Sequence, residues 1–271
     1  MIPKIIHYCW FGHGEMGDRE KTCIASWKKY CPDYELRLWT EENYDVNKNK
    51  YMSDAYKEKK WSFVSDYARL DVVYQYGGIY LDTDVELIKS LNTLLDNKMF
   101  CGFETEKAIA FGLGFGAERG HRVVKEIMDV YEKLSFYNVN GSLNLTPCPK
   151  YQSMVLEKNG INLDNTLQYA DGILVLPSDY FCPINSGTGV MNITENTYGI
   201  HHYAYSWGGR GDRFWGKVSR WTNRYFGRKI SMIICLPYRM IGKIKSMGMS
   251  ETIKFYAVKY LRSKKNEQDE L

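Results

Sequence analysis

The chain has 271 residues, 44% of them hydrophobic and 25% charged, and a net charge of +4. This is globular composition, which excludes a disordered chain, and the length suffices for one full core with or without an appendage. The longest apolar run, Ile230 to Leu236, is far too short to span a membrane, and Met1 to His7 does not read as a signal peptide because Pro3, Lys4 and His7 break it. Seven cysteines (Cys9, Cys23, Cys31, Cys101, Cys148, Cys182 and Cys235) are odd in number, and no two stand as C-x-x-C. That argues against a zinc site or a disulfide framework and for a reducing, cytoplasmic setting. With no leader expected, the closing Gln268-Asp269-Glu270-Leu271 is read as a chance likeness to a retention tail.

Ile2 to Trp10 reads as a buried first strand, Lys21 to Tyr30 as a helix stopped before Pro32, and Tyr34 to Trp39 as an alternating second strand. Strand, helix and strand in succession open an α/β sheet. The next helix is predicted from Trp61 to Tyr76. Phe63, Tyr67, Leu70 and Tyr74 form its apolar face, and Gly77-Gly78 ends it. Ile79-Tyr80-Leu81 follows as a short buried strand, then Val85, Leu87 and Ile88 resume the apolar pattern. Further strands are expected at Met99 to Phe103, Ala108 to Phe111 and Ile173 to Leu176, and a helix from His121 to Leu134. Asn138 to Pro149 reads as a loop.

Asp82 and Asp84, spaced D-x-D, stand where the Ile79 to Leu81 strand leaves the sheet. Ligands bind at the carboxyl ends of strands in open α/β sheets, and alternate residues of an extended segment face one side. The two carboxylates therefore suit a hard divalent cation, Mn²⁺ or Mg²⁺, holding a diphosphate. Asp66 and Arg69 are helical neighbours three residues apart, preceded by Ser65. Two readings stand for them: a plain surface ion pair, or a carboxylate and guanidinium that recognise sugar or ribose hydroxyls.

The run Trp61-Ser62-Phe63-Val64-Ser65-Asp66-Tyr67-Ala68-Arg69-Leu70, followed by Tyr76-Gly77-Gly78-Ile79-Tyr80-Leu81-Asp82-Thr83-Asp84-Val85, closely resembles glycosyltransferase family 32. The opening Ile2-Pro3-Lys4-Ile5-Ile6-His7-Tyr8-Cys9-Trp10-Phe11-Gly12 is similar to the first strand of that family, and His201 to Trp207 to its late H-x-x-x-S-W element. The resemblance is strong up to about residue 105 and looser beyond. It implies a GT-A fold with a Rossmann-like mixed sheet flanked by helices, and a nucleotide-diphospho-sugar donor, UDP-sugar favoured. By similarity, Trp10 would stack on the nucleobase beside the backbone of Cys9, where the residue pattern alone favours a core tryptophan. Ser65, Asp66, Arg69 and Asp82 would bind ribose and donor sugar. Asp84 and Asp82 would address the metal, with His202 as the histidine ligand and His201 as its competitor. Asp82, Asp84, Asp66 and Arg69 would thus be the catalytic set, transferring the sugar with retention to a glycan or lipid-linked acceptor in capsular or lipopolysaccharide synthesis. Distant likeness to clostridial glucosylating toxins adds a toxin-like protein glycosyltransferase as an alternative. A metal-dependent phosphohydrolase and a non-catalytic sugar-binding protein are the others.

The chain divides by composition into a transferase domain over 1–209 and a basic, amphipathic helical extension over 210–271. From Arg210 to Lys265 fifteen Lys and Arg face two acidic residues. Arg220, Arg224, Lys229, Arg239 and Lys243 alternate with Trp221, Phe226, Ile233 and Ile241. That pattern suits either an interfacial helix on an anionic membrane, on its inner face, or a helix packed on the domain with its charges solvated. Nucleic acid is not expected as a partner at this net charge.

Overall fold

The computed structural model describes residues 1–185, 187–203, 210–253 and 255–256. They form two compact units: Met1–Asn185 with Val190–Trp207, and Ser186–Gly189 with Gly208–Leu271.

In the first unit, β1 (Ile5–Cys9), α1 (Asp18–Tyr30) and β2 (Glu35–Trp39) make the expected opening, with β1 and β2 parallel and Ile5 opposite Glu35. α2 (Lys50–Lys57) and α3 (Trp61–Tyr76) follow, then β3 (Gly78–Tyr80), β4 (Val85–Leu87), β5 (Met99–Thr105), β6 (Ala108–Ile109) and β7 (Phe115–Ala117). α4 (Arg122–Lys133), α5 (Cys148–Lys158), β8 (Gln168–Ala170), β9 (Ile173–Leu176) and β10 (Gly199–His201) complete the unit. The main sheet runs in the order β2-β1-β3-β7-β5-β9-β8, and β4 pairs with β10 in a separate ribbon. β1, β2 and β3 are parallel, β7 is antiparallel to both β3 and β5, and β9 is parallel to β5. β1, β3, β5 and β9 therefore all end at one edge. This is the mixed α/β architecture expected from the sequence.

The sheet alternates between two cores, as a period of two requires. Met99, Cys101 and Phe103 of β5 join Val64, Leu70, Ile127 and Val155 under α3, α4 and α5. Phe100 joins Ile6, Ile79, Trp27 and Phe181 on the other face. Fully buried Trp27 ties α1 to the segment after the D-x-D, because its indole N–H donates to the Val85 carbonyl at 2.7 Å.

The chain turns from α3 into β3 on a glycine pair. Gly77 (φ 65°) caps the helix through its N–H to Val73, and Gly78 (φ 107°) passes so close to β1 that a β-carbon would lie 2.8 Å from the Ile5 carbonyl oxygen. Only glycine meets both demands. His7 locks the junction from β1. Trp39 Nε1 donates to its Nδ1 at 3.1 Å, which leaves Nε2–H to donate to the Gly77 carbonyl at 2.8 Å. Burial holds the His7 imidazole neutral, its pKa pushed down to about 4.

Pro147 and Pro149, at the end of the stretch expected to be a loop, open α5 instead. Proline in a first helical turn sacrifices no hydrogen bond, so it is compatible with a helix start. α2 and the three-residue strands β7, β8 and β10 are too short to show a periodicity.

In the second unit α6 (Arg210–Met247) is two helices merged across Gly227 (φ 79°, ψ 168°), with Pro237 in the second. No helix among the described residues is long and apolar enough to cross a membrane.

Candidate active site at the carboxyl edge of the sheet

Asp82 follows β3 directly, and its N–H donates to the Gly112 carbonyl at 2.8 Å. Val85 N–H then closes a turn on the Asp82 carbonyl at 3.0 Å, so Asp84 swings back toward Asp82. β10 completes the cluster by running antiparallel to β4 with His201 opposite Val85. Ligand atoms of Asp82, Asp84 and His201 all lie within 4.8 Å of one another, and His201 Nε2 is 3.3 Å from Asp84 Oδ1.

The histidine in this cluster is His201, whereas the resemblance implies His202. Neighbours on a strand point to opposite sides, so only one of the two faces the carboxylates. His202 Nε2 instead meets Glu86 Oε2 at 2.8 Å. The remainder of the late element, Ala204 to Trp207, lies outside the described residues.

Burial opposes a charge on His201, but Asp84, with Asp82 behind it, holds the imidazole protonated well above its ordinary range. A positive charge is what two converging carboxylates demand, and a divalent cation would replace the proton. His201 Nδ1 is buried with no hydrogen-bond partner among the described residues. Two carboxylates and an imidazole with a nitrogen to spare fit a cation such as Mn²⁺; Asp82, Asp84 and His201 would hold it.

Arg69 organises the wall beside this cluster. It is 3% exposed, and its Nη2 lies 3.2 Å from both Asp66 Oδ1 and Asp82 Oδ1. Nη2 also donates to Ser65 Oγ and Nε to the Ser65 carbonyl, each at 3.1 Å. Tyr80 lies under the guanidinium, 5.0 Å from ring centroid to Cζ, and its hydroxyl donates to Asp82 Oδ1 at 3.0 Å. The surface ion-pair reading of Asp66 and Arg69 is therefore wrong: both are buried, and α3 aims them at Asp82. Burial pushes the Asp66 carboxyl up to about 6 against the pull of Arg69. Burial also raises Asp82, with Arg69 opposing and Asp84 adding. Burial works against the Arg69 charge, yet Asp82, Tyr80 and Asp66 keep it firmly ionised.

On the neighbouring strand, Cys9 is buried at the end of β1, and burial pushes its thiol up to about 12, so only its backbone can serve a ligand. Trp10, the next residue, is only partly buried and donates from Nε1 to the Gly14 carbonyl. It is not a core tryptophan. Trp61, one turn before Ser65, lines a pocket of about 510 Å³ with Gly12, His13, Tyr56, Lys57 and Lys59.

The sequence reading does not single out Tyr80 or Cys148 here, whereas Gly112 lies in the glycine-rich Phe111 to Gly116, which it reads as able to approach donor or acceptor closely. Tyr80 has a signal, since it shares a strand side with Asp82. Cys148, whose Sγ is 3.7 Å from Arg69 Nη1, has none.

Residues 17–101 match a family described as a glycosyltransferase sugar-binding region containing a DXD motif. Inositol phosphoceramide mannosyltransferase 3 of Schizosaccharomyces pombe is 29% identical over 147 residues, 50% of this chain and 38% of that protein. Inositol phosphoceramide mannosyltransferase 1 of the same yeast is 29% identical over 116 residues, 39% of this chain and 35% of that protein. The chain thus spans well under half the length of these curated relatives. Among solved structures, the PaToxG glycosyltransferase superposes with a TM-score of 0.44 at 18% identity, covering 58% of this chain and 68% of that one. Residues 17–101 therefore resemble a glycosyltransferase sugar-binding region, and Asp82-Thr83-Asp84 stands within them as a D-x-D.

Proposed function

We propose that this chain is a metal-dependent glycosyltransferase that takes a sugar from a nucleotide-diphospho-sugar, UDP-sugar favoured, and transfers it to a glycan or lipid-linked acceptor. The observation that carries this reading is the convergence of Asp82, Asp84 and His201 beside the buried Arg69 hub, with Asp82, Asp84 and Arg69 inside the matched residues 17–101. A bound divalent cation would neutralise charge on the departing diphosphate, a service worth several kcal/mol. The chain's own residues supply the rest. Arg69 and Tyr80 fix one Asp82 oxygen, which keeps the carboxylate aimed without reorganisation. Asp66 and Ser65 present acceptor oxygens to hydroxyls of ribose or sugar, the Ser65 hydroxyl proton being held by the Ser62 carbonyl at 2.8 Å. Trp10 offers a partly open aromatic face to the base. We place no covalent nucleophile in the scheme, so catalysis rests on positioning and electrostatics, consistent with retention. A two-metal phosphohydrolase needs more carboxylate and imidazole ligands than the three gathered here among the described residues.

Calorimetric titration with UDP and GDP in saturating Mn²⁺ tests the donor half of the reading. Binding of one of them, weakened about tenfold or more in Trp10→Ala, supports it, since base stacking is worth about 1–3 kcal/mol. Binding of neither in the wild type contradicts it.

For the second unit we propose attachment to an anionic membrane surface, at the cytoplasmic face, in support of surface-polysaccharide synthesis. Exposed Trp221, Phe226 and Ile233 stand among Arg220, Arg224 and Lys229, and each basic residue near an anionic leaflet contributes about 1 kcal/mol. Co-sedimentation with phosphatidylserine vesicles at low salt, compared with neutral vesicles, tests it; equal recovery with both contradicts it.

A further inference from the structure

β5 delivers its carboxyl end to the same sheet edge as β3, because β7 lies between them antiparallel to both. Near that end its ladder slips. Phe103 pairs with Ile109 and Thr105 with Ala108, so two steps along β5 meet one step along β6. Glu104 is the extra residue. A bulge leaves one residue out of the ladder and re-aims its side chain. Two strand spacings, about 10 Å, separate the ends of β3 and β5. Gly112 lies between them, bonded through its carbonyl to Asp82 N–H.

Glu104 is partly buried, and its carboxylate makes no hydrogen bond or ion pair among the described residues. Burial raises its carboxyl above the ordinary value; His201 opposes that rise and Asp82 adds to it. The two groups that act on it are thus members of the Asp82–Asp84–His201 cluster. A half-buried carboxylate with no partner is unfavourable in the free protein, and a ligand that donates hydrogen bonds relieves it. An ionised carboxylate only accepts, and a sugar ring offers hydroxyl donors.

We propose that Glu104 is a specificity-determining residue that accepts hydrogen bonds from hydroxyls of the donor sugar, across the site from Asp66 and Arg69. This rests on the transferase reading above, in which the diphosphate lies at Asp82, Asp84 and His201 and the sugar is attached next to it. Sites built to bond a substrate hydroxyl reject the analogue that lacks it, because the protein group is left unpaired.

The test uses the full chain and its Glu104→Gln and Glu104→Ala variants. Hydrolysis is measured with Mn²⁺ on whichever UDP- or GDP-sugar the wild type turns over, and on that donor's deoxy analogues. Binding of the matching nucleoside diphosphate is measured by calorimetry. Glu104→Gln keeps the shape of the side chain, so a loss there does not reflect a cavity. The expected result is a fall in kcat/KM of about tenfold or more with the intact donor, unchanged nucleoside diphosphate affinity, and loss of discrimination against one deoxy donor. Unchanged kcat/KM in both variants, or nucleoside diphosphate affinity falling in parallel with it, overturns the assignment and leaves the transferase reading standing. A wild type that hydrolyses no nucleotide-sugar overturns that reading, and this one with it.

Discussion

Gly112 and Asp82 stand closer than any other residue at position 112 would permit: a β-carbon there would lie 2.1 Å from Asp82 Oδ2 and 3.0 Å from Arg69 Nη1. The carbonyl of Gly112 meanwhile receives the Asp82 N–H. The loop before β7 therefore presses on the carboxylate directly, and glycine is what lets Asp82 keep its aim. Gly112→Ala should push that carboxylate aside with little change in thermal midpoint. A displacement of this kind is expected to cost on the order of a hundredfold in turnover. Nucleotide-sugar hydrolysis and a thermal melt on the same sample check it; full activity would show that the Asp82 orientation is not critical.

The two adjacent histidines should separate cleanly. His201→Ala removes a member of the cluster and is expected to weaken Mn²⁺ binding by more than the ~10–100-fold that loss of a supporting partner costs. His202→Ala breaks, among the described residues, the contact to Glu86 and should bind Mn²⁺ as the wild type does. Titration followed by electron paramagnetic resonance of free Mn²⁺ distinguishes them, and a reversed order would restore His202 as the ligand.

Arg69 is buried between Asp66 and Asp82. Arg69→Met leaves the buried Asp66 carboxylate and the partly exposed Asp82 carboxylate without a counter-charge, and breaking such a group costs up to about 3–5 kcal/mol. Arg69→Lys keeps the charge but loses the planar fork that serves Ser65, Asp66 and Asp82 together, so it should fall between the two. Urea denaturation measures both. Equal stability of Arg69→Met and wild type would show that the hub is not structural.

His7 gives the fold an acid limit. Its pKa is about 4 in the folded chain against 6.5 for a free imidazole. A base depressed by folding contributes its full stability above 6.5, loses it as pH falls toward about 4, and changes nothing further below that. The gap is worth about 3 kcal/mol at about 1.4 kcal/mol per pH unit. His7→Gln should flatten that portion of the stability profile measured by urea melts between these limits. An unchanged slope would place the acid sensitivity elsewhere.

How much of this was legible beforehand follows from where the physics is local. α3 was readable end to end because its apolar face repeats over sixteen residues and glycines close it. β3 and the D-x-D were readable because a short apolar run breaks into two carboxylates. Asp66 and Arg69 could not be placed from spacing alone, since an i, i+3 pair looks the same on a solvated face and in a core; burial by β3 and Tyr80 decides it. His201 rather than His202 depends on the register of β10 against β4, a pairing across 114 residues that no local pattern encodes. Glu104 depends on a one-residue slip between β5 and β6, equally invisible in the sequence.

In the proposed reaction Asp84 and its neighbours hold a divalent cation for cleavage of a nucleotide-sugar. Hydrolysis of a panel of UDP- and GDP-sugars, with Mn²⁺ and with chelator, by the wild type and by Asp84→Ala tests it most directly. Mn²⁺-dependent release of nucleoside diphosphate from at least one donor is expected, abolished by chelator and reduced on the order of a hundredfold or more in a folded Asp84→Ala. Turnover that persists in chelator, or a folded Asp84→Ala as active as the wild type, would contradict it.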